Sequence, residues 1–244
     1  MKTSPDEHVF YNIMNAKIDE YPFPHMFLRN IFDPETYENI LSNLPDNKSF
    51  GSIADSPHII AHDNKPPMYE DRFIIDMDEK SFSVLPDQQK KFWLDFSSWF
   101  LGNEMINMLV NKFSPQLHQR FKDSPNQNIR VNATGLITRD TTGFSIGPHT
   151  DTDQKVLTLL YYLPKDLSQV HLGTSIYVAR DPNFKGAGGV HYTTDGFKKV
   201  FTAPFEPNSL FCFMKTDQSF HGVEMIENEN IERNLLIYNM KLAI

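Results

Sequence analysis

Cysteine is almost absent from this chain. Only Cys212 occurs among the 244 residues, so no disulfide can form within the chain and a disulfide-stapled scaffold is excluded. Cys212 lies in the apolar segment 209–214, where a thiol is more often buried and inert than nucleophilic. We therefore expect a structural role for this residue.

Long apolar runs are also missing. No run approaches the roughly 18 apolar residues that a membrane-spanning helix needs. Residues 1–7 lack the apolar core of a secretory signal peptide. These absences predict a cytoplasmic location and no membrane partner.

Basic residues are fewer than acidic ones. Lys and Arg total 23 against 31 Asp and Glu, which gives a net charge of -8. Surfaces that bind nucleic acid are usually basic because they neutralise phosphates. We therefore do not expect nucleic acid as a partner, although a local basic cleft leaves repair of nucleic acid as a minor alternative. The sequence does not indicate an oligomeric state.

The chain is 40% hydrophobic, which is enough to bury a substantial core, and we expect a single domain over residues 1–244. Its first part, residues 1–127, is predicted to be mainly helical support with a lid loop. One helix is predicted to begin directly after Asp33, a favourable N-cap residue. The aromatic-rich segment 87–112 predicts one or two amphipathic helices that break near Gly102.

Two segments are predicted to form long loops or lids. Residues 51–68 show little periodicity, so His58 and His62 are expected to be exposed rather than ligands of a second metal. The glycine-rich segment 183–196 lacks the Lys-Ser/Thr ending of a phosphate-binding loop. It is predicted to be a flexible hairpin or lid. His191 is expected to be exposed, with a contact to substrate as the alternative.

Residues 128–244 have the pattern of short strands. Apolar and β-branched runs alternate with Gly, Pro, Asn and Asp, which is typical of a jelly roll rather than of alternating β and α units. The expected fold is mainly β, with N-terminal helices and a double-stranded β-helix (jelly-roll or cupin-like) core. The predicted strands are 130–138, 144–146, 154–163, 174–179, 198–204, 209–214, 220–225 and 232–242.

A candidate metal site stands out in this region. His149 and Asp151 flank a single residue, so on an extended strand their side chains share one face. His221, 70 residues after Asp151, could join them from a second strand. Two histidines and one carboxylate form the facial triad that holds Fe(II) and leaves positions open for substrate and oxygen.

An arginine near the C-terminus supports an anionic ligand. Arg233 heads the apolar run 234–238, and a buried guanidinium without an anionic partner is costly. A bound dicarboxylate would satisfy it in bidentate geometry. Alternatively, Arg233 lies at an exposed strand end and pairs with Glu232 or Glu229.

These residues carry a family resemblance. The order His149, Asp151, His221 and Arg233, with the strand 156–163 after the first pair, resembles the Fe(II)/2-oxoglutarate-dependent dioxygenases of the prolyl-hydroxylase-like branch. The resemblance covers roughly residues 129–242. The segment 21–25, followed by a short helix, is also similar to the usual start of such domains.

The resemblance implies a ligand set. Fe(II) would be held by His149, Asp151 and His221, while Arg233 and Tyr162 would bind the C5 carboxylate of 2-oxoglutarate. The implied reaction consumes oxygen and 2-oxoglutarate, releases succinate and carbon dioxide, and hydroxylates a small-molecule or peptide substrate.

Two further positions follow from the resemblance. Thr158 and Leu160 would flank the cosubstrate, because they share a strand face with Tyr162. The relatives usually carry a tyrosine upstream of the first metal histidine, whereas this chain has Arg139 ten residues before His149. This departure leaves the substrate class open.

Two other functions fit a jelly roll. A non-catalytic ligand-binding protein would need neither the triad nor Arg233. A cupin-type metalloenzyme that does not use 2-oxoglutarate usually has more histidine ligands, and Arg233 with Tyr162 would then have no role. Succinate release during oxygen consumption separates the three functions.

Overall fold

The computed structural model describes residues 4–55, 69, 71–123, 129–227 and 230–243. The helices are α1 Pro5–Asn15, α2 Pro34–Ser42, α3 Asp87–Phe100, α4 Asn103–Lys112 and α5 Ser114–Arg120. The strands are β1 His25–Arg29, β2 Gly51–Ser52, β3 Arg72–Asp76, β4 Val131–Thr141, β5 Ile146–His149, β6 Lys155–Tyr162, β7 Thr174–Ala179, β8 Phe197–Ala203, β9 Ser209–Met214, β10 His221–Val223 and β11 Glu232–Leu242. In the part of the chain so described, no helix is both long and apolar enough to cross a membrane.

Two antiparallel sheets form the body of the fold. The larger sheet has the strand order β1-β9-β6-β11-β4-β3-β2, and the smaller one has the order β5-β10-β7-β8. The strands predicted beyond residue 128 are all present as β4–β11, although several begin or end at different residues. The predicted mainly β, jelly-roll class is therefore confirmed.

Three strands from the N-terminal part extend the larger sheet beyond what the sequence predicts. β1 pairs with β9 through contacts such as His25 opposite Phe213. β3 pairs with β4, with Ile75 opposite Ile137, and β2 pairs with β3. The N-terminal part thus contributes both helices and sheet edges.

The helices form as their local sequence predicts. The carboxylate of Asp33 accepts hydrogen bonds from the amides of Glu35 and Thr36 at the start of α2, which satisfies donors that lack a partner within the helix. α3 and α4 are separated at Gly102, where an added Cβ would lie 2.9 Å from the carbonyl oxygen of Ser98. The break near Gly102 is therefore confirmed.

One face of the larger sheet packs against the helices. The Phe100 ring on α3 lies 5.1 Å from the Tyr161 ring and 5.5 Å from the Tyr238 ring. Cys212 is fully buried in the same cluster. Burial raises the pKa of its thiol above the usual range, which agrees with a structural role.

The other face of the larger sheet looks toward the smaller sheet. On β11, Leu236 and Tyr238 pack with the helices, whereas Leu235 and Ile237 belong to the cluster between the sheets. Alternate residues of a strand share a face, so Arg233 also points between the sheets. This enclosed space, called the barrel interior below, holds the candidate site.

Candidate metal centre and the barrel interior

The two histidines of the triad lie on adjacent strands of the smaller sheet. His149 ends β5 and His221 begins β10, and the two residues are paired directly, with ring centroids 4.2 Å apart. Asp151 follows two residues later. One ligand atom from each of the three side chains lies within 4.8 Å of the other two, so the fold assembles the predicted cluster.

The orientation of the two rings suits a metal ion. His149 Nδ1 lies 3.0 Å from the carbonyl oxygen of Gly147, and His221 Nδ1 lies 3.0 Å from that of Ser219. Each Nδ1–H can donate to its carbonyl, which leaves the lone pair of Nε2 for a ligand. Neutral imidazoles held in this way fit the requirements of a divalent cation.

The carboxylate of the cluster is fixed by two donors. Thr158 Oγ1 donates to Asp151 Oδ2 at 2.6 Å, and Lys155 Nζ donates to Asp151 Oδ1 at 2.8 Å. Asp151 and His221 are 7% and 6% exposed. A buried, hydrogen-bonded carboxylate between two imidazoles is a suitable ligand set for Fe(II).

The electrostatics keep all three groups deprotonated. Burial of the His149 ring, with the neighbouring His221 and His191, lowers its pKa well below the usual range. Burial also lowers the pKa of His221. Burial alone would raise the Asp151 pKa, but the ammonium group of Lys155, through its charge and its hydrogen bond, opposes this, and the pKa lies below its usual range. Each group is therefore in the form that binds metal.

The glycine-rich segment lies directly against the triad strand. The amide of Gly189 donates to the carbonyl of Thr150 at 2.9 Å, and that of Tyr192 donates to Pro148 at 2.9 Å. A Cβ at Gly188 would lie 3.0 Å from the carbonyl oxygen of Asp151. The glycines permit this close approach of two backbones.

His191 is part of the site, so the prediction of an exposed His191 is wrong. Its ring stacks on His149 at 4.5 Å and 14°, and it is hydrogen-bonded to the hydroxyl of Tyr69. Burial lowers the pKa of His191 to about 4, and burial raises that of Tyr69 to about 12. A neutral imidazole and a protonated phenol therefore lie beside the candidate metal site.

Arg233 is buried in the barrel interior at 1% exposure. Its Nε donates to the carbonyl of Leu172 at 2.6 Å, and one terminal nitrogen donates to Asp140 Oδ2 at 2.6 Å. The guanidinium lies 4.9 Å from the centre of the Phe205 ring and 5.8 Å from that of Tyr162. The alternative of an exposed strand end is therefore wrong.

The buried anion beside Arg233 is one that sequence reasoning missed. Asp140 is fully buried. Its carboxylate also accepts hydrogen bonds from Nε and one terminal nitrogen of Arg72, at 2.6 and 2.9 Å. Within the described ranges, Asp140 is the ion-pair partner of both arginines. Two guanidinium groups thus share one carboxylate, which leaves a positive charge that a further carboxylate would balance.

Tyr162 and Thr158 face the barrel interior, as their spacing predicts. The Tyr162 hydroxyl donates to Thr174 Oγ1 at 2.7 Å and accepts from the Thr174 amide at 3.2 Å. Leu160 packs against the interior cluster between them. A contact of Tyr162 or Thr158 with a cosubstrate stays a prediction.

Arg139 points away from the barrel interior. Its Nε donates to Asn234 Oδ1 at 2.8 Å, and its guanidinium lies 4.6 Å from the centre of the Phe50 ring. Arg139 therefore does not take the place of an upstream tyrosine inside the barrel. The neighbouring Asp140 is the residue that faces inward here.

His58 and His62 lie outside the described residues.

Comparison with known proteins is informative at the level of structure. No family model matches the chain, and no curated protein matches it. A prolyl 4-hydroxylase structure from Phytophthora capsici matches 100% of this chain and 67% of its own, with 16% identity and a TM-score of 0.56. The chain has the fold of the 2-oxoglutarate–Fe(II) oxygenases.

Two further structures agree with this fold. A Pseudomonas putida prolyl-4-hydroxylase matches 97% of this chain and 98% of its own, with 11% identity and a TM-score of 0.50. JOX2, solved in complex with 2OG, Fe and JA, matches 90% of this chain and 68% of its own, with 12% identity and a TM-score of 0.50. The His-Asp-His cluster described above fits the 2-oxoglutarate–Fe(II) oxygenase fold.

Proposed function

We propose that this protein is an Fe(II)- and 2-oxoglutarate-dependent oxygenase that hydroxylates a small-molecule or peptide substrate. One observation carries the proposal: a His-Asp-His cluster and a buried arginine with surplus positive charge occur in the same fold, and that fold is the one of known 2-oxoglutarate–Fe(II) oxygenases. The solved complex of JOX2 with 2OG and Fe supports the choice of cofactors.

The metal would be held by His149, Asp151 and His221. When bound, Fe(II) would activate oxygen, which is the oxidant: one oxygen atom would enter 2-oxoglutarate, which leaves as succinate and carbon dioxide, and the other would enter the substrate as a hydroxyl group. Thr158 and Lys155 keep the Asp151 carboxylate in one orientation through their hydrogen bonds. That fixed orientation lowers the cost of binding the metal.

The cosubstrate would be anchored by Arg233. Its buried guanidinium, positioned by the carboxylate of Asp140, offers a planar fork for the C5 carboxylate. Leu235 and Ile237 line the same face of β11, and these apolar side chains exclude water from the path between Arg233 and the triad. Exclusion of water strengthens the ion pair.

Two other functions were kept open by the sequence. A non-catalytic jelly-roll protein has no use for Nε2 atoms and a carboxylate gathered within 4.8 Å. A cupin-type metalloenzyme without 2-oxoglutarate has no use for the surplus charge at Arg233.

A cytoplasmic location stays a prediction, supported by the single cysteine.

The proposal is tested by succinate release. Purified protein with Fe(II), 2-oxoglutarate and oxygen, supplied with a panel of amino acids, peptides, sugars and lipids, should convert 2-oxoglutarate to succinate in a metal-dependent reaction. His221→Ala should abolish this turnover, whereas His171→Ala, at an exposed position, should retain it. Equal turnover in the wild type and His221→Ala would contradict the proposal.

A further inference from the structure

A β-bulge places a lysine next to the triad. Met240 on β11 is opposite Leu157 on β6, but the next residue, Lys241, is opposite Lys155. Val156 is therefore the extra residue, and both Val156 and Leu157 pack on the helical side. The bulge turns Lys155 onto the inner face, where it reaches Asp151. Bulges of this kind often re-aim a side chain beside an active site.

Lys241 faces the same space from the neighbouring strand. Lys241 is an even number of residues from Leu235 and Ile237, which point into the barrel interior, so its side chain lies on the same face of β11. Two like charges directly opposite each other on adjacent strands repel. Burial and the charge of Lys155 lower the Lys241 pKa, while Asp76 and Asp151 act in the opposite sense. In the described part of the chain, the side-chain ammonium group of Lys241 makes no hydrogen bond or ion pair.

Two buried acceptors lie next to this lysine pair. Asn239, directly opposite Thr158 and Thr134 on its two neighbouring strands, is 4% exposed. Its Oδ1 and the Oγ1 of Thr134 have no hydrogen-bond partner among the described residues. Buried polar atoms are almost always satisfied, so these two oxygens can each accept a hydrogen bond from a donor that the described residues do not supply.

The lysine pair lies on the side of the triad opposite to Arg233. Along β6, Thr158, which touches Asp151, stands between Lys155 at one end and Tyr162 at the other. Tyr162 lies beside Arg233. A cosubstrate that extends from the triad to Arg233 therefore leaves Lys155 and Lys241 for another ligand.

The local charge favours an anion. The formal charges of Lys155, Lys241, Asp76 and Asp151 cancel, so a divalent cation leaves an excess of two positive charges. One carboxylate of the cosubstrate at the metal would neutralise half of this excess. Lys155 Nζ uses one of its three donors on Asp151, and the remaining donors can bind an oxyanion.

We propose that the substrate carries a carboxylate that binds between Lys155 and Lys241, with an adjacent N–H or O–H group donating to Asn239 Oδ1. The substrate would thus be a small acid with a donor near its carboxylate, or a peptide end of the same chemistry. This inference rests on the proposed function, because it assigns the substrate side of the same site.

The test uses benzoate and nitrobenzene as matched probes, which share a shape and lack an N–H but differ in charge. The protein is loaded with Mn(II) and saturating 2-oxoglutarate in oxygen-free buffer, and the relaxation of probe protons by Mn(II) reports binding near the triad. Benzoate should show strong relaxation and nitrobenzene much less. Lys241→Met should weaken benzoate binding at least about tenfold, the effect of losing a charge-assisted hydrogen bond. Lys241→Arg should retain most of the binding.

The controls separate the possible failures. Lys48→Met removes an exposed lysine and should change nothing, and thermal melting confirms that each variant is folded. Equal relaxation of benzoate and nitrobenzene, or benzoate binding unchanged in Lys241→Met, would overturn the carboxylate inference. A raised 2-oxoglutarate constant in Lys241→Met would also overturn it, by assigning the lysine to the cosubstrate. Failure of the wild type to bind 2-oxoglutarate would instead overturn the proposed function.

Discussion

Removal of the Arg233 guanidinium should weaken 2-oxoglutarate binding without unfolding the protein. In Arg233→Ala, Asp140 keeps both hydrogen bonds to Arg72, so no buried carboxylate is left without a partner. The lost interaction is a charge-assisted pair that contributes on the order of 1.5 to 3 kcal/mol. The apparent dissociation constant of 2-oxoglutarate should therefore rise by about 10-fold to 150-fold.

The assay is succinate formation, or binding to the Mn(II)-loaded protein, as a function of 2-oxoglutarate concentration. Arg233→Lys should recover only part of the affinity, because an ammonium group cannot reproduce the planar fork. Arg139→Gln is the matched control, since Arg139 is also buried but points away from the barrel interior. An unchanged 2-oxoglutarate constant in folded Arg233→Ala would refute the anchoring role and favour the cupin function.

Three further predictions concern the triad and its neighbours. Thr158→Val removes the donor to Asp151 and should weaken Mn(II) binding by about tenfold, measured by metal titration, with no change in secondary structure; unaltered affinity would count against the orienting role. His221→Ala should lose metal binding in a folded protein, and near-normal affinity would eliminate it as a ligand. The native pKa of His191 is about 4 and its unfolded pKa is about 6.5, so below the latter the unfolded chain binds a proton that the native state does not. The free energy of unfolding of the metal-free protein should fall as pH drops through about 6.5, with at most about 1 kcal/mol from His191 at about pH 5.5. Denaturant titrations of His191→Gln should show a weaker pH dependence, and an identical one would contradict this.

Local pattern was sufficient for much of the fold. Strands β6, β9 and β11 carry apolar runs bounded by turn residues, and the N-cap of Asp33 and the break at Gly102 depend only on neighbouring residues. The strands β1–β3, each at most five residues long, were missed because they lie outside the succession of turn-bounded strand patterns that begins near residue 128. The equally short β5 and β10 lie within that succession. The pairing of β1 and β3 depends on residues 60 or more positions away, such as Ile137 opposite Ile75, and that of β2 depends on β3, with Gly51 opposite Ile74.

The site was predictable where chemistry and spacing coincide. The triad was predicted from the His-x-Asp spacing and the family resemblance, whereas the burial of Arg233 was one of two alternatives that the apolar run after it left open. The inward position of Asp140 could have been predicted, because Asp140 lies two and four residues from Thr138 and Leu136 on β4 and so shares their face of the strand. Its partner Arg72 could not, because nothing in the sequence fixes the register of β3 against β4.

Two other parts of the site depend on irregular backbone. The contact of His191 with His149 arises from backbone hydrogen bonds of the glycine-rich segment, which has no periodic signal. The inward position of Lys155 arises from the bulge at Val156. Strict alternation along β6 would have placed Val156, rather than Lys155, beside Asp151.

The most direct test of the account is a crystal structure of the protein grown without oxygen in the presence of Mn(II) and 2-oxoglutarate. We expect one metal ion bound by His149 Nε2, Asp151 and His221 Nε2. We also expect the C5 carboxylate of 2-oxoglutarate to be hydrogen-bonded to the Arg233 guanidinium. A metal bound by other residues, or 2-oxoglutarate absent from the barrel interior at saturating concentration, would contradict the proposed metal and cosubstrate sites.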